Sequence, residues 1–161
     1  MILVPADLRL VAAALVGDHD LAEAIGYGVA DGWATFPGAL RSVHDQLVAD
    51  PASAAWGSRF FVSGEPPQVV GWGGFKGPPV DGTVELGYEI AAALRGRGLA
   101  TAAARAMLDE AFAHPDVTTV IAHTLAEPNA SNHILEKVGF RHAGAQIEDG
   151  EPVWRYARGR P

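Results

Sequence analysis

A short segment rich in glycine and arginine could bind an anion. Its residues are Arg95, Gly96, Arg97 and Gly98. It lies between a strand-like run and an alanine-rich helical pattern, where the first amide groups of the helix have no internal acceptor and the helix dipole is positive. Glycine lets the backbone approach a phosphate closely, and the arginines add positive charge. The residues at the predicted helix entrance are Leu99, Ala100 and Thr101.

Two other phosphate-binding motifs do not fit this segment. The Gly-Lys-Ser/Thr ending of the Walker loop is missing, and so is the three-glycine dinucleotide fingerprint with its acidic strand end. Nucleotide hydrolysis and hydride transfer are therefore disfavoured. Because two glycines before a helix also occur in ordinary turns, the spacing alone leaves a purely structural role open.

The amino acid types that are absent or scattered restrict the chemistry further. The chain has no cysteine, which excludes disulfides, thiolate zinc sites and cysteine nucleophiles. His123 and His133 could carry protons, although a lone histidine is more often structural. We expect no metal, because the other histidines show no metal-ligand spacing; they are His19, His44, His114 and His142.

Length and charge predict a single globular domain over residues 1–161. Hydrophobic residues make up 48% of the chain, which is enough for a core. The formal net charge is −7, which disfavours nucleic acid and acidic membranes and suits a cationic or amine-bearing partner. The apolar stretch at 11–16 lacks both a basic leader and a spanning length, so we expect a cytoplasmic protein.

The first third of the chain predicts a strand and two helices. Residues 8–11 have apolar positions around Arg9 and predict an opening strand. A helix follows Gly17, and a second begins after Pro37. The loop between them is rich in glycine and aromatic residues.

The rest of the chain alternates between strand and helix patterns. Helices are predicted at 99–112 and at 131–138, the second closed by Gly139. The Gly73-Gly74 pair indicates a bulge or a close backbone approach. A strand, a helix and a strand in succession imply a crossover. Strand-like runs occupy residues 60–62, 69–75, 83–90, 117–121 and 153–156.

Two motifs in this order closely resemble the acetyl-CoA-binding blocks of the GNAT acetyltransferase superfamily. The first spans 84–90 and then 95–100, with the pattern Arg-x-x-Gly-x-Ala. The second is Glu-Pro-Asn-Ala-Ser-Asn at 127–132, continuing through the Gly-Phe pair at 139–140. Within the superfamily, the loop at 31–37 and the Asn-Ala-Ser spacing look most like the branch that contains ribosomal-protein N-terminal acetyltransferases.

The resemblance implies both a fold and a cosubstrate. The fold is a single α/β (α+β) domain with a mixed, mostly antiparallel, twisted sheet flanked by helices. The cosubstrate is acetyl-CoA, with its pyrophosphate on the amides of Gly96, Gly98 and Ala100 and between Arg95 and Arg97. The pantetheine amides would pair with the strand near Glu89 and Ile90. Asn129 would also contact the coenzyme.

The resemblance also assigns catalytic roles. Glu85 lies where many family members have the carboxylate that deprotonates the acceptor ammonium, with Glu89 as its competitor on the same strand face. Ser131 matches a proposed proton donor to the coenzyme sulfur, although Ser131 or Asn129 is equally suited to cap the following helix. A tyrosine that many members carry after the Gly-Phe pair is missing, which leaves the general acid unassigned.

Aromatic residues that could line the acceptor pocket are Trp33, Phe36 and Trp72, with core packing as the alternative.

The sequence therefore predicts an N-acetyltransferase that moves acetyl directly to a primary amine in a ternary complex, since no cysteine can carry the acyl group. The acceptor is a peptide N-terminus or a small amine. One alternative is an acyl-CoA-binding or sensing module that has lost its chemistry, and another is a different nucleotide-binding domain. The sequence leaves a homodimer open.

Overall fold

One mixed sheet of eight strands forms the centre of the molecule. The computed structural model describes residues 1–161 apart from the side chain of Pro37. The main strand order is β1-β3-β4-β5-β6-β8-β7, and β2 pairs with β4. Neighbouring strands are antiparallel except for the parallel pairs β5/β6 and β2/β4. The strands are β1 (Ile2–Pro5), β2 (Gly28–Val29), β3 (Ser58–Ser63), β4 (Gln68–Phe75), β5 (Thr83–Ile90), β6 (Thr119–Leu125), β7 (Arg141–Glu148) and β8 (Glu151–Gly159).

Helices cover both faces of this sheet and create two hydrophobic cores. Phe60 faces the core under the first three helices, and the next residue, Phe61, faces the core under the last two. Among the described helices, none combines the length and apolarity that a bilayer crossing requires. The helices are α1 (Leu8–Val16), α2 (Asp18–Ile25), α3 (Pro37–Ala49), α4 (Leu99–Ala113) and α5 (Ala130–Lys137).

The predicted opening strand at 8–11 is wrong, because these residues begin α1. The Asp7 side chain accepts a hydrogen bond from the Leu10 amide at 2.8 Å and caps the helix. Three consecutive alanines then continue the segment in its preferred helical state. The opening strand lies earlier, at Ile2–Pro5, and pairs with β3.

The other predicted elements are present with small shifts in their ends. The hairpin is formed by β3 and β4, the crossover runs from β5 through α4 to β6, and α5 ends before Gly139 at φ +91°. The predicted mixed, mostly antiparallel sheet is confirmed. The sequence patterns did not predict β7, an exposed edge strand paired only with β8.

Glycines hold β4 unusually close to its neighbours. A Cβ on Gly73 would lie 2.3 Å from the carbonyl oxygen of Gly87, and one on Gly74 would lie 2.3 Å from that of Gly57. Both distances are far below van der Waals contact, so the close approach predicted for this pair is confirmed. A Cβ on Gly71 would similarly meet the Glu89 oxygen at 2.2 Å. The end of β5 therefore has a fixed backbone position.

The sheet opens between β5 and β6. These strands pair only through three residue pairs, which end at Glu85 and Ile121. Beyond that point β5 remains paired with β4, and β6 remains paired with β8. The facing edges of β5 and β6 consequently separate toward their carboxyl ends, next to the start of α4.

Candidate functional site

A cavity of about 820 Å³ occupies the opening between β5 and β6, and we call it the groove. Its volume lies in the range that small-molecule and cofactor sites usually have. The groove also includes Tyr88, Thr124, Leu125 and His133. The sequence-predicted site residues that line it are Phe36, Glu89, Ile90, Arg95, Gly96, Gly98, Leu99, Ala100, Thr101, Asn129 and Ser131.

The start of α4 forms the end of the groove at which the sequence predicts anion binding. Gly96 and Gly98 have φ values of +76° and +77°, a left-handed conformation that strongly favours glycine. A Cβ at either position would meet no atom within 4 Å, so backbone conformation is the constraint here. Gly98 occupies the N-cap position without a side-chain cap, which leaves the first helical amides available. Arg95 lines the groove, whereas Arg97 is exposed beside it.

Glu89 is held in place at the edge of the groove by two donors. The Trp72 indole Nε1 donates to its Oε1 at 2.6 Å, and the backbone amide of Thr35 donates to the same oxygen at 3.1 Å. These bonds connect β5 to the loop between α2 and α3. The carboxylate is therefore oriented before any ligand binds.

The three predicted aromatic residues occupy different places. Phe36 is 66% exposed at the rim of the groove. Trp33 is buried against Phe60 and Trp72, and its Nε1 donates to Asp18 at 2.9 Å. Trp72 is 5% exposed and acts on the groove through Glu89. Only Phe36 of the three can touch a ligand in the groove directly.

Glu85 lies outside the groove lining, on the same strand face as Glu89. Its Oε1 lies 2.5 Å from the Lys76 ammonium and 2.9 Å from Nδ1 of His123. Burial raises the pKa of Glu85, but the hydrogen bonds and charges of His123 and Lys76 outweigh burial, so the pKa is lowered. Glu85 is therefore ionised at neutral pH.

His123 completes a carboxylate–imidazole pair with Glu85. Because an ionised carboxylate only accepts hydrogen bonds, Nδ1 of His123 carries the proton in this contact. Its Nε2 is then the basic nitrogen, and this atom is buried without a hydrogen-bond partner among the described residues. A carboxylate of Glu148 also approaches, with one ligand atom from each of Glu85, His123 and Glu148 within 4.8 Å of the others.

The start of α5 shows which of two candidates, Asn129 or Ser131, caps this helix. Asn129 is the N-cap, and its Oδ1 accepts from the Asn132 amide at 3.1 Å. Asn132 in turn accepts from Thr124 on β6 at 2.8 Å, which fixes the helix start against the groove. The capping interpretation is thus confirmed for Asn129, and the Ser131 hydroxyl is left for other contacts.

Tyr88 is a groove residue that sequence reasoning did not single out. It lies on the β5 face opposite Glu85 and Glu89, close to Ser131. Its hydroxyl oxygen is buried and makes no hydrogen bond of normal geometry among the described residues, although the Ser131 side chain is near it. Burial raises the pKa of Tyr88, and nearby Ser131 offsets only part of this effect. Alternation along the 84–90 motif was the signal that could have identified it.

Comparisons with known proteins agree with this geometry. A family model described as an acetyltransferase (GNAT) domain matches residues 2–141. The chain is 27% identical over 147 residues to the uncharacterized N-acetyltransferase YjdG of Bacillus subtilis (strain 168), covering 88% of each protein. It is 36% identical over 90 residues to the N-acetylaspartate synthetase of Homo sapiens, covering 55% of this chain and 30% of that protein.

Solved structures share the fold at lower identity. Aminoglycoside acetyltransferase AAC(6')-Ib in complex with coenzyme A has a TM-score of 0.67 and 17% identity, covering 98% of this chain and 94% of that one. RimJ of Mycobacterium smegmatis in complex with CoA-disulfide has a TM-score of 0.66 and 22% identity, covering 98% and 80%. The family match covers most of the chain and includes the groove between β5 and β6, so this protein belongs to the GNAT family of acetyl-CoA-dependent acetyltransferases.

Proposed function

We propose that the protein transfers acetyl from acetyl-CoA directly to a primary amine, with both substrates bound together. The observation that carries this proposal is the opening between β5 and β6, which joins a helix start with available amides to a face that carries the ionised Glu85 and the oriented Glu89. A coenzyme arm lying in the groove would present its thioester between these two regions. The absence of cysteine supports direct attack over a cysteine-bound acyl intermediate.

Backbone amides contribute to the proposed coenzyme site as much as side chains do. We assign its pyrophosphate to the first amides of α4, near Gly96, Gly98 and Ala100, with Arg95 and Arg97 flanking it. The pantetheine amides pair with β5 near Glu89 and Ile90, where the strand has lost β6 as a neighbour. The remaining residues assigned to the coenzyme are Leu99, Thr101 and Asn129.

The acceptor approaches the sheet face that carries Glu85 and Glu89. Trp72 and the Thr35 amide fix the Glu89 carboxylate, which can hold an ammonium group in the groove. Phe36 offers an exposed aromatic surface for the apolar or cationic part of the acceptor. The net charge of −7 favours approach of a cation. Spermidine N-acetyltransferase SpeG of Vibrio cholerae and the ribosomal L7/L12 alpha-N-protein acetyltransferase RimL share this fold, which supports an amine or a peptide N-terminus as the acceptor here.

We assign deprotonation of the acceptor to Glu85 acting together with His123. Glu85 alone is a weak base because its pKa is lowered, whereas the unprotonated imidazole nitrogen of His123 can accept a proton. The contact with Glu85 holds the imidazole in the tautomer whose Nε2 is free. The amine nitrogen then attacks the thioester carbon, the C–N bond forms and the C–S bond breaks.

Coenzyme binding is tested by isothermal titration of acetyl-CoA into the wild type and an Arg95→Ala, Arg97→Ala double variant. We expect micromolar-range binding to the wild type and a loss of about tenfold or more in the variant, because charge-assisted contacts each contribute about 1.5–3 kcal/mol before solvent screening. A matched control is Arg41→Ala with Arg141→Ala, which removes the same charge from exposed positions outside the groove lining. No binding to the wild type would refute the proposed function.

Turnover is tested by release of free coenzyme A thiol in the presence of spermidine, an aminoglycoside and short peptides with free N-termini. Acetylation of at least one amine supports the enzyme. Tight binding without turnover on this panel would favour the acyl-CoA-binding or sensing module.

A further inference from the structure

The Tyr88 hydroxyl is buried and makes no hydrogen bond of normal geometry, although the Ser131 side chain lies close enough to lower its pKa slightly. Leaving a hydroxyl buried without a hydrogen bond is costly, so native proteins rarely do it without a functional reason. The ring packs against the core beneath α4 and α5, which fixes the direction of the hydroxyl. It lines the groove together with Ser131. The arrangement indicates a donor waiting for a ligand atom.

We propose that the Tyr88 hydroxyl donates a hydrogen bond to the coenzyme sulfur as the thioester breaks. This inference rests on the proposed function. Tyr88 points to the sheet face where α4 and α5 pack, which is the side of the coenzyme, whereas Glu85 and Glu89 point to the acceptor side. The sulfur is the thioester atom bonded to the coenzyme arm, so it lies on the side of Tyr88. Ser131 is the neighbouring hydroxyl and is free from helix capping.

The chemistry at the sulfur is hydrogen-bond donation rather than net proton transfer. When the C–S bond breaks, its electron pair stays on sulfur as a thiolate, while the proton lost by the amine goes to the base. Simple thiols have a pKa of about 8.5 and phenols about 10, and burial raises the pKa of Tyr88 further. Tyr88 therefore keeps its proton and stabilises the thiolate, which is later protonated from the base or from solvent.

The absence of cysteine makes a clean test possible, because coenzyme A, kept bound by an excess of protein, is then the only thiol in the sample. The pH dependence of its alkylation by iodoacetamide reports the pKa of the bound thiol. We expect this pKa to be about one unit lower in the wild type than in Tyr88→Phe, a tenfold difference in ionisation. Tyr27→Phe, which removes a hydroxyl outside the groove lining, should behave as the wild type.

Two further measurements separate this role from a structural one. Tyr88→Phe should bind coenzyme A with an unchanged Kd and unfold at the same or a higher temperature, because it removes an unpaired buried hydroxyl. With an acceptor amine, its kcat should fall about tenfold while the KM for acetyl-CoA stays constant. Normal coenzyme binding with the same thiol pKa in both proteins would overturn the role of Tyr88 alone, and no coenzyme binding to the wild type would overturn the proposed function as well.

Discussion

Replacing Glu85 by Gln is expected to lower kcat for acetyl transfer by about 10²- to 10⁴-fold, the usual contribution of a general base. Glutamine removes the negative charge that holds Nδ1 of His123 protonated and leaves its Nε2 free. The acidic limb of the pH profile of kcat/KM should shift, because the imidazole that takes up the proton loses the carboxylate that stabilises its charged form. Steady-state kinetics with the best amine from the panel measures both effects.

Glu89→Gln is the matched comparison, because it makes the same chemical change on the same strand face. Glu89 is assigned to ammonium binding, so this variant should mainly raise the KM of the acceptor. Unchanged affinity for acetyl-CoA in both variants would show that the groove is intact. If Glu85→Gln kept the wild-type kcat while Glu89→Gln lost it, Glu89 would be the base and the assignment of Glu85 would be wrong.

Arg59→Ala is expected to destabilise the fold by about 3–5 kcal/mol, because several hydrogen-bond acceptors around the buried guanidinium lose their donor. Arg59 is 4% exposed, and its guanidinium donates to Glu110 on α4 at 2.6 Å. It also donates to carbonyl oxygens of Ala54 and Ala55 in the 3-10 turn after α3, which would lose their partners. Since native domains are stable by about 5–15 kcal/mol, this single change removes a large share of the total.

Thermal or urea unfolding measures this loss, and the midpoint temperature should fall by about 10 °C or more. Glu110→Gln keeps a hydrogen-bond acceptor for Arg59 and should cost less than Arg59→Ala. A midpoint for Arg59→Ala within a few degrees of the wild type would mean that neighbouring residues or water satisfy these carbonyl groups. The hydrogen bonds of Arg59 would then contribute little to stability.

The motifs predicted the local backbone structure at the starts of α4 and α5 because the interactions that determine it are local. Gly96 and Gly98 adopt the left-handed conformation that glycine favours, and they lie directly before the helix whose amides they expose. Asn129 caps α5 within its own motif. In each case the determining interactions lie within a few positions along the chain.

Interactions between distant parts of the chain were beyond the sequence patterns. The partners of Glu85 come from β6 and from the turn after β4, so its engagement with His123 and Lys76 depends on strand pairing. The Trp72 indole reaches Glu89 only because their strands are in register. Strand β7 contains Ala143, Gly144 and Ala145, which have low strand propensity, and pairing with β8 determines its conformation.

Because β5 and β6 share only three residue pairs, binding of the coenzyme should increase the resistance of the protein to unfolding and proteolysis. Past Glu85 and Ile121 the two strands lack each other as partners, and the proposed coenzyme arm supplies hydrogen bonds that a complete sheet would obtain from its own chain. A ligand that binds only the folded state stabilises it by about 2.7 kcal/mol at one hundred times its Kd. In a cell rich in acetyl-CoA, the coenzyme would therefore serve as a structural element as well as the acetyl donor, and depletion of acetyl-CoA without replacement by free coenzyme A would shorten the lifetime of the protein.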